Sequence, residues 1–171
     1  MSLVAIGLGC SLGDRRARIA HTLHRLDATP GLTWLRTSSL VLTPPLKGGV
    51  ARGAFVNAVA LFDTDLSPED LLELCIALED AAGRRRSRRW ADRTLDLDLL
   101  LFDDRIVHSP QLTLPHPAIA ERPFVLHPLV EVWPDAYDPV EQRAWADVDP
   151  PGGPTPVVVG RVAPRRRLGY L

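Results

Sequence analysis

The groups most able to do chemistry in this sequence are concentrated in Arg93-Thr94-Leu95-Asp96-Leu97-Asp98-Leu99. In an extended strand successive side chains alternate faces, so Asp96 and Asp98 share one face while Leu95, Leu97 and Leu99 turn to the core. The two aspartates then sit roughly 6.5–7 Å apart at Cα, from a rise of about 3.3 Å per residue. Carboxylates at that separation can flank two divalent ions about 3.5–4 Å apart. Magnesium suits such a site, because it takes one or two carboxylates together with waters and substrate phosphates. Alternation of Leu and Asp describes a half-buried strand with a solvated face equally well. The neighbourhood favours chemistry: Arg84, Arg85, Arg86, Arg88, Arg89 and Arg93 crowd ahead of the strand, with Trp90 among them. Carboxylates for a cation beside guanidinium groups for phosphate oxygens are the parts of a phosphoryl-transfer site. Taken alone, the arginines and Trp90 also suit a solvated loop or a nucleic-acid patch.

Other catalytic patterns are weaker. No Gly-x4-Gly-Lys-Ser/Thr loop occurs, which argues against a P-loop kinase. Gly7-Leu8-Gly9-Cys10-Ser11-Leu12-Gly13 is one residue too long before its third glycine for a dinucleotide fingerprint, so these glycines read as a tight turn against a neighbouring site. His116 is held between Pro115 and Pro117 in a non-helical loop, and a lone histidine is more often structural than catalytic. His21, His24, His108 and His127 show no metal-ligand spacing, and Cys10 and Cys75 are too few for a zinc site or a disulfide framework.

The elements that must position these groups are readable in outline. Leu3 to Leu8 forms a buried strand, and Ile19, Leu23 and Leu26 mark a helix that Pro30-Gly31 stops. Leu32 to Leu42 alternates as one strand, followed by a loop from Thr43 to Arg52 and a strand from Phe55 to Phe62. Ser67-Pro68-Glu69-Asp70 starts a helix, with Ser as cap, Pro at the first position and acids in the first turn; Gly83 ends it. Leu95 to Phe102 is the aspartate-bearing strand, turning at Asp103-Asp104. Beyond Val107 the chain is proline-punctuated, with short helical pieces expected near Ala118 and at Phe124 to Leu126, and Val157 to Val159 as an edge strand. The order β-α-β-β-α-β predicts a ferredoxin-like α+β sandwich, a mostly antiparallel sheet with helices packed on it.

A length of 171 residues suits one domain, 1–171, with 150–171 as a Pro-, Gly- and Arg-rich extension that is mobile or covers a sheet edge. A net charge of −1 gives no support to a general nucleic-acid or membrane binder. Lys47 is the only lysine among 20 basic residues, a bias that a GC-rich genome explains. With no signal-peptide pattern and no long apolar run, the expected setting is the cytoplasm.

Arg89-Trp90-Ala91-Asp92-Arg93-Thr94-Leu95-Asp96-Leu97-Asp98 resembles the signature of the 6-hydroxymethyl-7,8-dihydropterin pyrophosphokinases of folate synthesis. Thr43-Pro44-Pro45-Leu46, Phe55-Val56-Asn57, Glu79 with Gly83-Arg84, Pro115-His116-Pro117 and Arg122-Pro123-Phe124 follow in the family's order, so the resemblance runs from about Leu3 to Val132. It implies transfer of pyrophosphate from ATP to the pterin hydroxymethyl oxygen, with AMP released. It implies that Asp96 and Asp98 hold two Mg²⁺ ions, and that Arg84 and Arg93 stabilise charge on the transferred group. The pterin falls to Thr43, Pro44, Leu46, Phe55, Asn57, Trp90 and Phe124, and the nucleotide to Glu79, Arg86, Arg89, Thr113, His116 and Arg122. The implied partners are ATP and the pterin, with no nucleic acid or membrane; the sequence names no protein partner.

The chain departs from the family pattern at Gly9-Cys10-Ser11, usually Gly-Ser-Asn, at Ile76 in place of a glutamine, and at Pro117 after the histidine. None of these touches the metal carboxylates, so the expectation is an active enzyme with an altered periphery. The alternatives are a nucleic-acid module using the arginines, a metal-dependent phosphohydrolase using the aspartates, and a catalytically silent relative.

Overall fold

The computed structural model describes residues 1–44, 53–83, 94–150 and 156–164. Along the chain run β1 (Ser2–Cys10), α1 (Arg15–Asp27), β2 (Leu32–Thr37), β3 (Ser39–Thr43), β4 (Phe55–Thr64), α2 (Pro68–Ala81) and β5 (Asp96–Phe102). They are followed by β6 (Val107–His108), β7 (Thr113–Leu114), α3 (Pro123–Val132), β8 (Tyr137–Asp138), β9 (Arg143–Ala144), a 3-10 turn at Trp145–Asp147, and β10 (Val157–Arg161).

The helices form for local reasons that the sequence displays. Asp14 caps α1 by accepting from the Ala17 N–H at 3.0 Å, and Ile19, Leu23 and Leu26 make its buried stripe. Ser67 caps α2 by accepting from the Asp70 N–H at 3.1 Å, with Pro68 at the first turn and Leu71, Cys75 and Leu78 facing inward. Gly83, at φ +75°, takes the left-handed conformation that closes the helix.

The main sheet runs β10-β3-β4-β1-β5, with β2 also on β4, and all its pairings are antiparallel. The core four-strand order with its two crossover helices is the ferredoxin-like arrangement. One face packs on α1 and α2 through Val4, Ile6, Leu8, Val56, Ala60, Phe62, Leu97 and Leu99. Each such large side chain contributes about 1.5–3 kcal/mol on burial. The other face carries Ala5, Val59, Leu61, Leu100 and Leu101 against Leu126, Leu129 and Val132 of α3.

The structure corrects several expectations. Leu32 to Leu42 is not one strand: it breaks at Ser38, and both pieces pair with β4. The buried Ser38 accepts the Val59 N–H at 3.0 Å through its hydroxyl, while its own N–H donates to the Val59 carbonyl at 2.9 Å. No helix forms near Ala118. There the chain turns, because Pro117 and Pro123 bracket it and hold Arg122 extended at φ −121°, so α3 starts only at Pro123. Gly7 and Gly9 do not turn the chain; both lie inside β1, and the turn comes at Gly13, with φ +68°. β10 does form, and it covers the edge of β3. Among the described residues no helix is long and apolar enough to cross a membrane.

Ser38→Ala leaves the buried Val59 N–H without its acceptor. It is expected to cost about 1–3 kcal/mol of stability, read as a lower urea midpoint at unchanged slope.

Candidate active site

The face that α3 covers is covered at one end only. At the open end the strand register builds two rows across three strands. Asn57 on β4, Gly9 on β1 and Asp96 on β5 form one row; Val59, Gly7 and Asp98 form the next. Neither glycine has a side chain, so the middle strand is bare backbone between an amide on one side and two carboxylates on the other. A Cβ at Gly7 would touch Leu100 at 3.4 Å, and one at Gly9 would lie 2.8 Å from Asn57 Oδ1. The result is a cleft of about 380 Å³, solvent at its mouth included, whose walls are Asn57, Asp96, Asp98, Arg122, Phe124 and Val125.

Each wall residue is placed by an identifiable element. Asp96 and Asp98 share the cleft face of β5 as the alternation requires, and Leu95, Leu97 and Leu99 are buried behind them. Arg122 is the N-cap of α3 and Phe124 lies in its first turn, so the start of that helix overhangs the cleft. His116 is held by its backbone N–H, which donates to the Leu100 carbonyl at 2.9 Å. Its Nε2 stands 3.9 Å from Asp98 Oδ1.

That contact is not an ion pair. Burial pushes the His116 pKa below its ordinary value and the Arg122 charge adds to the effect, against the opposing pull of Asp98 and Asp96. The imidazole is therefore neutral near pH 7. Its Nδ1 accepts from the Ala118 N–H at 3.1 Å, so the hydrogen sits on Nε2, toward the carboxylate.

Glu79 stands where the sequence alone does not place it. It is buried at the end of α2, and its Oε1 accepts from the Leu97 N–H at 2.7 Å. Leu97 separates the two aspartates, so this bond fixes the backbone from which both project. The same region surrounds Cys75, whose thiol is pushed up to about 12, first by burial and then by the charges of Glu79 and Asp98. Both cysteines are buried and free.

Of the other residues singled out from the sequence, Thr43 bonds directly to Asn57, accepting from its Nδ2 at 2.9 Å. Phe55 pairs opposite Thr43 across β3 and β4, Pro44 follows β3, and Thr113 lies in β7, which packs against β5. Leu46, Arg84, Arg86, Arg89, Trp90 and Arg93 lie outside the described residues. Val59, Leu100 and Val125 were missed from sequence. Val59 and Leu100 each lie two residues beyond a polar site residue, and the strand period of two is the signal that points to them.

The sequence that builds this cleft is matched in known proteins. The profile of 7,8-dihydro-6-hydroxymethylpterin-pyrophosphokinase matches residues 5–134. The chain belongs to this family. A 2-amino-4-hydroxy-6-hydroxymethyldihydropteridine pyrophosphokinase of Methylorubrum extorquens is 40% identical over 154 residues, 89% of this chain and 97% of the relative. The enzyme of that name from Pseudomonas aeruginosa is 40% identical over 132 residues, 77% of this chain and 81% of the relative. Among solved structures, a Plasmodium falciparum HPPK-DHPS crystallised with pteroate superposes with a TM-score of 0.64 at 13% identity. The match covers 86% of this chain and 42% of that one, so this pyrophosphokinase chain spans about two fifths of the solved protein. At that identity the likeness shows the fold alone, and the fold is the ferredoxin-like one.

Glu79→Ala removes the acceptor for a buried strand N–H. It is expected to cost about 1–3 kcal/mol, and thermal unfolding that matches the parent chain would count against the clamp.

Proposed function

We propose that the cleft takes the pterin on its Asn57 side and the ATP phosphates on its Asp96 and Asp98 side, and joins them across the bare floor of β1. Family membership gives the overall activity: pyrophosphate transfer to 7,8-dihydro-6-hydroxymethylpterin, a step of folate biosynthesis. The observation that supports the finer reading is the row Asn57–Gly9–Asp96, an amide and a carboxylate on either side of a glycine that leaves the space above it to the Asn57 Oδ1.

A flat heterocycle needs an aromatic face and an edge that both donates and accepts, which Phe124 and Asn57 supply. Phe55, Thr43, Pro44, Leu46 and Trp90 complete that side of the reading. Arg122, His116 and Thr113 face the nucleotide, with Arg86 and Arg89 from the arginine segment and Glu79 behind the strand. The pterin hydroxyl oxygen attacks the β-phosphorus in line, and its proton passes to solvent as the O–P bond forms. The bond from that phosphorus to the oxygen bridging to the α-phosphorus breaks, and AMP leaves with the bridging oxygen. No covalent enzyme intermediate is required; orientation and charge stabilisation, with Arg84 and Arg93 on the transferred group, carry the catalysis.

The donor set fits magnesium. It offers carboxylate oxygens at Asp96 and Asp98, while the neighbouring imidazole turns an N–H and not a lone pair toward them. When bound, two Mg²⁺ ions would neutralise phosphate charge in the transition state. The chain as a whole, residues 1–171, is read as one catalytic domain working in the cytoplasm.

The test is product analysis of the purified chain with ATP, Mg²⁺ and the pterin. AMP that forms only with pterin, matched by the pterin diphosphate, is the expected result; ADP, or phosphate released without pterin, would point to a different phosphoryl transfer. Asp98→Ala is expected to lower kcat/KM by about a thousandfold without lowering Tm. Near-normal turnover of that variant at saturating Mg²⁺ would remove Asp98 from the metal site.

A further inference from the structure

We infer that the outer face of the α1/α2 layer is a self-association surface. On it the basic face of α1 in one copy lies against the acidic face of α2 in a second copy, across a two-fold axis.

The two helices are segregated by charge. α1 carries Arg15, Arg16, Arg18 and Arg25, and Asp27 at its last position is its only acid. α2 carries Glu69, Asp70, Glu73, Glu79 and Asp80 and no basic residue. Both helices bury their apolar stripes against the same face of the sheet, so their polar stripes point outward together. On α1 that stripe is Arg18, His21 and Arg25; on α2 it is Glu69, Glu73 and Asp80. α1 lies over β1, β2 and β4, and α2 lies over β5, so the stripes occupy different halves of one surface.

These charges have no counterpart close by. Among the described residues no carboxylate pairs with Arg18 or Arg25, and no basic group pairs with Glu69, Glu73 or Asp80. Arg15 and Arg16 are used differently, donating to the backbone carbonyls of Ala54 at 2.7 Å and Arg161 at 3.3 Å. At one end of each helix the placement also runs against helix electrostatics, which favour anions at the N-terminus and cations at the C-terminus. Beyond its Asp14 cap, the first turn of α1 holds arginines and no acid, and the last turn of α2 holds Asp80 and no base. Helix stability therefore does not account for these charges.

Their complement is a second copy of the same surface. β1 and β4 are antiparallel, and the helices that follow them run antiparallel as well. A two-fold axis parallel to the helices, between two facing copies, lays each α1 on the opposite α2. Every contact is then made twice, as an isologous interface requires. The opposed helices are antiparallel, so their dipoles attract too. An axis across the helices would instead stack α1 on α1 and α2 on α2, and like charges exclude it. Exposed ion pairs are weak singly and screened by salt, so the association is reversible and salt-dependent.

The test is sedimentation velocity of the full chain over a concentration series at low and high salt, about 0.05 M and about 0.5 M. A monomer–dimer equilibrium is expected, with a dissociation constant that rises about tenfold or more between the two. Two variants reverse one stripe each at exposed positions: His21→Glu with Arg25→Glu, and Glu73→Arg with Asp80→Arg. Each alone is expected to be monomeric where the parent chain dimerises. Their equimolar mixture is expected to dimerise again, because each reversed stripe then meets a complementary one. The single changes Arg25→Glu and Glu73→Arg, mixed in the same way, keep the test decisive if a paired variant folds poorly. A parent chain that is monomeric at every concentration in low salt would overturn the inference. So would dimers that ignore both reversals, folded variants whose mixture stays monomeric, or assembly that grows past the dimer.

Discussion

The lack of side chains at Gly7 and Gly9, on the middle strand of an antiparallel sheet, is the constraint on which the rest of the site depends. An antiparallel ladder brings directly opposed residues to within about 5 Å, so a central strand with ordinary side chains would fill the space between its neighbours. With no side chain at these two positions, those of Asn57 and Leu100 can lean over β1, and the first turn of α3 overhangs the opening that remains. The opposite face has no such relief: it is packed continuously on α1 and α2. The cleft is thus made by subtraction, in a sheet otherwise stabilised by burial on both sides.

That arrangement gathers negative charge. Asp96 and Asp98 look into the cleft, and the buried Glu79 accepts from the backbone between them. A neutral His116 does not offset them, since burial keeps it uncharged. Arg122, at the start of α3, brings the opposite sign to the cleft wall among the described residues. A site that gathers carboxylates at close range is suited to a cation that arrives with its substrate, and guanidinium groups are suited to the phosphates that come with it.

Much of this was legible from residue order. The alternation from Leu95 to Leu99 put both aspartates on one face, and the start at Ser67 marked α2, because both signals are local. The break at Ser38 was not legible: what holds it is a bond to Val59, 21 residues away, and the segments on either side both alternate. The glycines misled for a related reason. Locally they suggest a turn, but pairing with β4 on one side and β5 on the other overrides that preference and keeps them extended. β6 to β9 are two-residue strands, too short for any periodicity to show. Glu79 was placed near the nucleotide by likeness alone, and only tertiary contact reveals its hold on Leu97.

The added strand β10 has a mechanical consequence. By pairing with β3 it turns the strand that ends in Thr43 from a border into an interior strand, laddered on both sides. Among the described residues β5 ladders with β1 alone, and elsewhere its Leu97 N–H is held by Glu79 and its Leu100 carbonyl by the His116 N–H. The two walls of the cleft are therefore braced by different means. The Asn57 wall is held by ladders on both sides, while the aspartate wall is held by a ladder on one side and by a buried carboxylate and a loop amide on the other. One sheet thus joins a wall braced by strands to a wall braced by side chain and loop.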